Sequence, residues 1–440
     1  MEFSATTKES RRFLDLVCYK CGFCYNCDMA RRTDVHFERF GFCERQIPEP
    51  PAPGLSLVVV IPCFNEPNLV ASLESLQKSE RPDAAHEVIV VVNSAADAEA
   101  SVIQQNERTL RDARAWTEAE PEPKLTVHLI DARGLPPRHA GVGLARKIGM
   151  DEALRRFDDV GTIDSGVILC FDADCVCASD YLRAVHEHFR AHPMSSACSI
   201  YFEHPLEGKL APEIYEAIAA YELHLRYYVQ ALRYAGFPHA YHTIGSSMAV
   251  RARAYMEQGG MNRRQAGEDF YFLHKLIPLG SFTELNSTAV YPSPRSSNRV
   301  PFGTGRAVCE WLQQPGTKTY PFKAFDDLRV FLQSVGSLKT ADVQGVPESI
   351  CTFLAEQDFD AALAEIRSHT STPAAFTKRF FRWFDGFRAM KFVHHARDRF
   401  YGEEEVEVAS AKLLDRLGRL AAEGSINELL LAYRKLNRGL

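Results

Sequence analysis

Short, almost wholly apolar segments recur through the first half of the chain, and stretches with helical spacing lie between them. The segments cover residues 55–61, 87–93, 125–130 and 167–171. Buried strands of a parallel sheet have this length and β-branched composition, and parallel strands need a long crossover between them. The repeat therefore predicts an α/β domain around a mostly parallel central sheet.

The apolar segment at 167–171 stops at two aspartates, Asp172 and Asp174. Residues two apart on an extended chain point the same way, so both carboxylates face one place beyond the strand end. Carboxylates in such a place suit Mg²⁺ or Mn²⁺, and open α/β sheets bind ligands at the carboxyl ends of their strands. Taken alone, however, an isolated Asp-x-Asp is more often a solvated turn.

The composition and net charge of the chain exclude some classes of function. The chain has 440 residues, of which 46% are hydrophobic, and a net charge of −6. This charge argues against nucleic-acid binding through a general basic field. No stretch reaches the length of a membrane span, and the first residues lack the basic-then-apolar layout of a signal peptide, so we expect a cytoplasmic protein.

The first 50 residues differ from the rest because four cysteines, Cys18, Cys21, Cys24 and Cys27, fall at three-residue steps. Paired cysteines joined by turns suit zinc, and the run is also similar to iron–sulfur ligation, but reduced thiols in a small core fit it equally well. A proline-rich linker follows. We therefore expect a Cys-rich extension over 1–50, a catalytic domain over 51–323 and a helical domain over 324–440.

Several motifs follow one another in a fixed order: Ile-Pro62-Cys-Phe64-Asn65-Glu66, a strand ending at Asn93, Gly-Val-Gly-Leu-Ala-Arg146-Lys147, Phe-Asp172-Ala-Asp174, and Gly267-Glu268-Asp269-Phe-Tyr-Phe. In this order they resemble the inverting glycosyltransferase family 2, over about residues 55–291. The resemblance implies the GT-A nucleotide-sugar fold, which has a Rossmann-like central sheet.

The resemblance also implies a role for individual residues. Asp269 matches the catalytic base, with Glu268 beside it, and Asn93 stands where the family usually has an aspartate that reads the base. The remaining matches are Pro62, Phe64 and Glu66 in the nucleoside pocket, Arg146 near the base and diphosphate, Asp172 near the ribose and the metal, and Asp174 on the metal ion.

Simple chemistry agrees with these roles. A metal held by Asp172 and Asp174 can neutralise a departing diphosphate, and Asp269 can take the proton of an acceptor hydroxyl. Arg146 and Lys147 lie in the first turns of a predicted helix, where a phosphate can meet backbone amides and both cations. The alternative for Glu268 and Asp269 is an acid pair favoured by a helix N-terminus.

Two later segments allow more than one interpretation. A basic loop after residue 291 carries Arg295 and Arg299 and either closes over the diphosphate or is ordinary solvated surface. Residues 373–400 combine a phenylalanine stripe with many cations. Such a stripe is more typical of a helix face that packs into the protein core. The alternative is a helix that binds the surface of a membrane.

The sequence thus predicts an inverting, metal-dependent glycosyltransferase that uses Mn²⁺ or Mg²⁺ and a nucleotide-sugar donor. Its acceptor would be a saccharide or a lipid-linked hydroxyl, and zinc at the N-terminal cysteines is a second metal hypothesis. Two other classes remain open. One is a nucleotidyltransferase acting on a sugar phosphate, and the other is a non-catalytic protein that binds a nucleotide sugar or a metal.

Overall fold

The computed structural model describes residues 25–119, 125–297, 303–419 and 424–440, with side chains from residue 32 onward. Cys18, Cys21, Cys24 and Arg299 lie outside these residues, as does the side chain of Cys27. The described part confirms the predicted α/β core and the helical C-terminal region.

The core is an eight-stranded sheet in the order β3-β2-β1-β4-β7-β6-β8-β5. Its strands are β1 Leu55–Cys63, β2 Ala85–Ala95, β3 Thr126–Leu135, β4 Val167–Cys170, β5 Cys175–Cys177, β6 Ala197–Phe202, β7 Met248–Arg251 and β8 Phe282–Pro292.

The four strands predicted from their apolar segments lie side by side and run parallel. β7 then pairs antiparallel with both β4 and β6, while β6 and β8 run parallel and β5 is antiparallel to β8. The carboxyl ends of β1, β2 and β4 therefore meet at one edge of the sheet. This edge carries the segments 64–66, 93–95 and 172–174.

Helices cover both faces of the sheet and frame this edge. They are α1 Tyr25–Phe40, α2 Leu69–Lys78, α3 Ala100–Glu118, α4 Val142–Asp159, α5 Tyr181–Ala191, α6 Pro212–Tyr234, α7 Ala252–Glu257 and α8 Glu268–Leu276. Short 3₁₀ turns cover Pro137–His139 and Ile277–Leu279.

Helix α4 is buried on nearly all sides, although it carries many charges. A buried charge is costly unless it is paired, and the charges of this helix are paired. Arg156 binds Glu87 of β2, while the ammonium of Lys147 lies 2.9 Å from Asp151. These pairs let a polar helix cross the interior and fix where Arg146 points.

The C-terminal region is helical, with a two-stranded ladder of β9 Lys318–Thr319 and β10 Glu404–Glu405. Its helices are α9 Thr304–Gln313, α10 Phe322–Ser334, α11 Glu348–Glu356, α12 Phe359–Ser368, α13 Pro373–Trp383, α14 Gly386–Ala396, α15 Val406–Arg416 and α16 Ile426–Arg438, with a π-helical turn over Arg397–Tyr401. They pack around α6, which comes from within residues 51–323.

The phenylalanine stripe of 373–400 lies inside this helical core. Phe376, Phe380 and Phe384 are buried. Cations such as Lys378 and Arg382 remain on the outside. The apolar face that a membrane contact needs is thus already covered, which favours the core interpretation of the stripe.

A buried ionic cluster joins the last helix to the sheet domain. Glu222 of α6 is completely buried and accepts hydrogen bonds from His204, Arg226 and Arg434. Arg226 also binds Asn437 at 3.1 Å. Because a buried carboxylate needs such partners, this cluster fixes α16 against α6. Among the described helices, none has the length and apolar character to cross a membrane.

Candidate active site

The candidate site lies at the carboxyl edge of β1, β2 and β4, where the start of α8 meets the sheet. Asp172 and Asp174 occupy the turn between β4 and β5, and the amide of Cys175 donates to the carbonyl of Asp172 at 3.1 Å. The hydroxyl of Ser72 donates to the carbonyl of Ala173 at 2.8 Å. These backbone contacts hold the two carboxylates on a fixed turn.

Arg146 joins the strand-end acids to the helix-start acids. Its guanidinium is almost fully buried and donates to Asp172 at 2.6 Å and to Glu268. Burial alone would lower the pKa of Arg146, but the charges of Asp172 and Glu268 raise it above its usual value. The arginine therefore stays charged and bridges two parts of the site that are distant in sequence.

Two glycines allow close packing around the first turns of α4, one against Arg146 and the other against Arg264. A Cβ on Gly245 would lie 2.6 Å from Nη1 of Arg146, and a Cβ on Gly143 would lie 2.4 Å from the carbonyl oxygen of Arg264. The amide of Gly143 already donates to that carbonyl at 3.2 Å. The predicted phosphate contact at the start of α4 is therefore covered by the segment that leads into α8.

Glu268 and Asp269 open helix α8, as both interpretations of the sequence required. Asp269 accepts a hydrogen bond from the amide of Phe270 at 2.7 Å. Burial raises the pKa of both carboxyl groups, and the charge of Arg146 opposes that rise. A carboxylate with a raised pKa is a stronger base, which suits proton abstraction.

A second arginine occupies the other side of the Asp-x-Asp turn. Arg295 follows β8 and donates to Glu66 at 3.0 Å and to Asp174 at 3.1 Å. Glu66 is completely buried in the loop after β1. The structure thus brings together Glu66, Asp174 and Arg295, which the sequence places in three separate motifs.

The ends of β1 and β2 form the side of the site that the sequence predicts to hold the nucleoside. Asn106 of α3 accepts from the amide of Asn65 at 2.9 Å and donates to the carbonyl of Asn93 at 3.0 Å. Asn65 adopts a left-handed φ of 49°, so the loop turns sharply after Phe64. The side-chain oxygen of Asn93 is buried and, among the described residues, has no hydrogen-bond partner.

The charge balance of the site fits a divalent cation. Asp172 and Asp174 are the oxygen donors that Mg²⁺ or Mn²⁺ prefers, and such ions are often held by one or two carboxylates together with substrate phosphates. No group of three or more metal-binding side chains occurs among the described residues, so water or phosphate oxygens would have to complete the coordination.

The number of carboxyl groups in the site also favours a divalent cation. Glu268, Asp269 and Glu66 add three carboxyl groups to the Asp-x-Asp pair, and Arg146 and Arg295 are the guanidinium groups seen bound to this set in the described part of the chain. A diphosphate entering such a site needs additional positive charge.

Two other predicted site residues are buried. The ammonium of Lys147 pairs with Asp151, so its contact with a phosphate stays a prediction. Pro62 lies next to the end of β1, at the edge that carries the site. His242, a polar residue in the segment before β7, lies 3.4 Å from Asn437 and packs edge-on against Phe202, which is consistent with a structural role.

Three neighbours of the candidate site were missed by the sequence analysis. They are Asn106, Gly245 and Tyr221. Burial raises the pKa of Tyr221 to about 12, and the charge of nearby Asp269 adds to that rise. A single asparagine in a polar helix and a glycine in a loop give no signal of their own, and the tyrosine stripe of α6 is indistinguishable from a core face.

Comparisons with known proteins give no family assignment. No family model matches the chain, and no curated protein matches it. Solved structures with some similarity include S. aureus TarS 1-349 in complex with UDP-GlcNAc, at 15% identity and a TM-score of 0.38 over 87% of this chain and 92% of that chain. Another is GalNAc-T7 with UDP, GalNAc and Mn2+, at 13% identity and a TM-score of 0.36 over 72% and 58%. At these values, membership of family 2 stays a prediction.

Proposed function

We propose that this protein is an inverting glycosyltransferase that moves a sugar from a nucleoside diphosphate to an acceptor hydroxyl. The observation that carries the proposal is the bridge of Arg146 between Asp172 and Glu268. It places a strand-end carboxylate pair, suited to a diphosphate and its cation, beside a helix-start carboxylate suited to proton abstraction.

In the proposed reaction, these residues have three different roles. Asp269 takes the proton of the acceptor hydroxyl as its oxygen attacks the anomeric carbon, and the bond to the diphosphate breaks on the opposite face. Arg146 fixes the position of the acids on both sides of this centre. Asp172 and Asp174 would hold Mn²⁺ or Mg²⁺, which supplies Lewis-acid neutralisation of the leaving diphosphate.

A panel of nucleotide sugars, read by thermal shift with and without Mn²⁺, tests the proposal. A ligand that binds the native state raises its stability by an amount that grows with the logarithm of its concentration relative to Kd. We expect at least one nucleotide sugar to raise the melting temperature, with a larger rise when Mn²⁺ is present. If no nucleotide sugar shifts the melting temperature in either condition, the proposal is wrong.

Replacing Asp174 with asparagine is expected to weaken Mn²⁺-dependent binding of the nucleoside diphosphate by about tenfold or more, since it removes one charged ligand from a site with few. Isothermal titration calorimetry with Mn²⁺, and again with EDTA, measures the effect. Asp164→Asn is the control because Asp164 is about half exposed and pairs with Arg253 away from the site. Unchanged affinity in Asp174→Asn with Mn²⁺ would remove the metal assignment.

Replacing Asn93 with leucine is expected to reduce discrimination between bases. The buried side-chain oxygen of Asn93 needs a donor, and a base N–H would supply it. An unsatisfied buried polar group costs about 1–3 kcal/mol, so the preferred nucleoside diphosphate should lose about fivefold to 150-fold in affinity. Affinities for UDP, GDP, CDP and ADP measure this, and an unchanged order and spread would show that Asn93 does not contact the base.

A further inference from the structure

Arg295 lies beside Asp174, one of the two carboxylates that would hold the divalent metal ion. The residue lies three positions beyond the end of β8, on the described side of the basic loop. One side-chain nitrogen donates to Glu66 at 3.0 Å, and the other donates to both Glu66 and Asp174, with 3.1 Å to the Asp174 oxygen Oδ2. The guanidinium therefore binds Glu66 with both nitrogens and reaches Asp174 with one.

Glu66 is a rigid anchor for this arginine. Its side chain is completely buried, and its carboxylate accepts a hydrogen bond from the amide of Asn68 at 2.8 Å. Its own carbonyl accepts from Thr109 of α3 at 2.7 Å. A bidentate arginine–carboxylate pair is geometrically specific. The position of the guanidinium is thus set from the Glu66 side, and Asp174 is the more exposed end of the contact.

A divalent cation and Arg295 would compete for Asp174. A Mg²⁺ or Mn²⁺ ion bound to this carboxylate would stand about 2.1 Å from an oxygen. The guanidinium lies 3.1 Å from one oxygen of the same carboxylate. The single negative charge of this carboxylate does not neutralise both cations, so each weakens the binding of the other unless a further anion enters. A diphosphate is an anion of that kind.

We propose that Glu66, Arg295 and Asp174 form a latch that holds the cation site closed until the donor arrives. This inference rests on the proposed function. Without donor, Arg295 balances the charge of Asp174 and weakens metal binding. When the cation and the diphosphate enter together, Asp174 turns to the metal and the released guanidinium binds the phosphate oxygens. Metal and nucleotide therefore bind together far better than the metal binds alone.

The test is the affinity for Mn²⁺ in the absence of any nucleotide. Free Mn²⁺ is measured by electron paramagnetic resonance as the ion is titrated into wild-type protein and into Arg295→Gln. We expect Arg295→Gln to bind Mn²⁺ at least about tenfold more tightly, since the competing charge is gone. Arg306→Gln is the matched control, because Arg306 is exposed and pairs with Glu310 of its own helix. That control should keep wild-type affinity.

A second variant and a second ligand provide two further measurements of the same latch. Glu66→Gln keeps an acceptor for Asn68 but removes a negative charge and leaves Arg295 to Asp174, so Mn²⁺ affinity should fall below that of wild type there. With Mn²⁺ saturating, Arg295→Gln should bind UDP more weakly than wild type, since a phosphate ligand is lost. Equal or weaker Mn²⁺ affinity in folded Arg295→Gln, or no Mn²⁺ binding in any form, overturns the latch. A nucleotide-sugar panel without hits would instead overturn the proposed function.

Discussion

Replacing Asp269 with asparagine is expected to lower turnover by about 10² to 10⁴ while donor affinity stays near that of wild type. Asparagine keeps nearly the same shape but lacks the charge and basicity that take a proton from the acceptor. The carboxylates that would face the diphosphate, Asp172 and Asp174, are unchanged. Steady-state kinetics and donor calorimetry on the same preparation separate the two quantities.

The matched control for this variant is Asp398→Asn, because Asp398 is exposed and pairs with Arg397 in the C-terminal region, outside the site. It should keep both turnover and donor affinity. A loss of donor affinity together with a large drop in melting temperature in Asp269→Asn would make Asp269 a structural residue at the helix start. Full turnover would assign proton removal to another group, and Glu268, its neighbour in the sequence, is the next candidate.

Replacing Arg146 with methionine is expected to lower the free energy of unfolding by about 3–5 kcal/mol. Methionine fills part of the volume, but two carboxylates lose a buried partner, and breaking a buried ion pair from one side has about this cost. Arg133→Met is the control, since Arg133 also binds two acids, Asp131 and Glu107, but at the surface. Surface pairs contribute about 0–1 kcal/mol. Urea denaturation of both variants measures the difference.

The deficit of Arg146→Met should also depend on pH. Arg146 lowers the pKa of Glu268 and Asp269, which burial raises, so its loss raises both folded-state values further above the unfolded ones. Such groups bind more protons in the folded state, and the stability they contribute is lost as pH rises. We expect a larger deficit at pH 8 than at pH 5. An equal deficit at both pH values would mean that the arginine acts through packing alone.

Some strands of the sheet can be predicted from the sequence, but the way in which others pair cannot. Strands β1, β2 and β4 were predictable because each is largely buried on both faces and reads as a continuous apolar run, while the half-exposed edge strand β3 carries a shorter apolar run. β5 has only three residues and no such signal, and the residues of β7 indicate a strand but not its direction. Their antiparallel pairing is decided by contacts between distant segments, which a pattern of local spacing does not contain.

In the candidate site, too, some features follow from the sequence and others depend on packing between distant segments. The positions of Asp172, Asp174, Glu268 and Asp269 at a strand end and a helix start follow from their motifs. The partners of these acids do not, because Arg146 and Lys147 are neighbours in sequence and only the packing of α4 sends one into the site and the other to Asp151. The contact of Arg295 with Glu66 joins residues 229 positions apart.

The most direct test of the account is the anomeric configuration of the sugar released when water replaces the acceptor. A donor found in the nucleotide-sugar panel is incubated with the enzyme, and proton NMR follows the first sugar anomer before mutarotation. Attack by water from the face opposite the diphosphate, assisted by Asp269, predicts the inverted anomer together with a nucleoside diphosphate, and a much slower release in Asp269→Asn. Release of the retained anomer, or of sugar phosphate with a nucleoside monophosphate, would contradict the account.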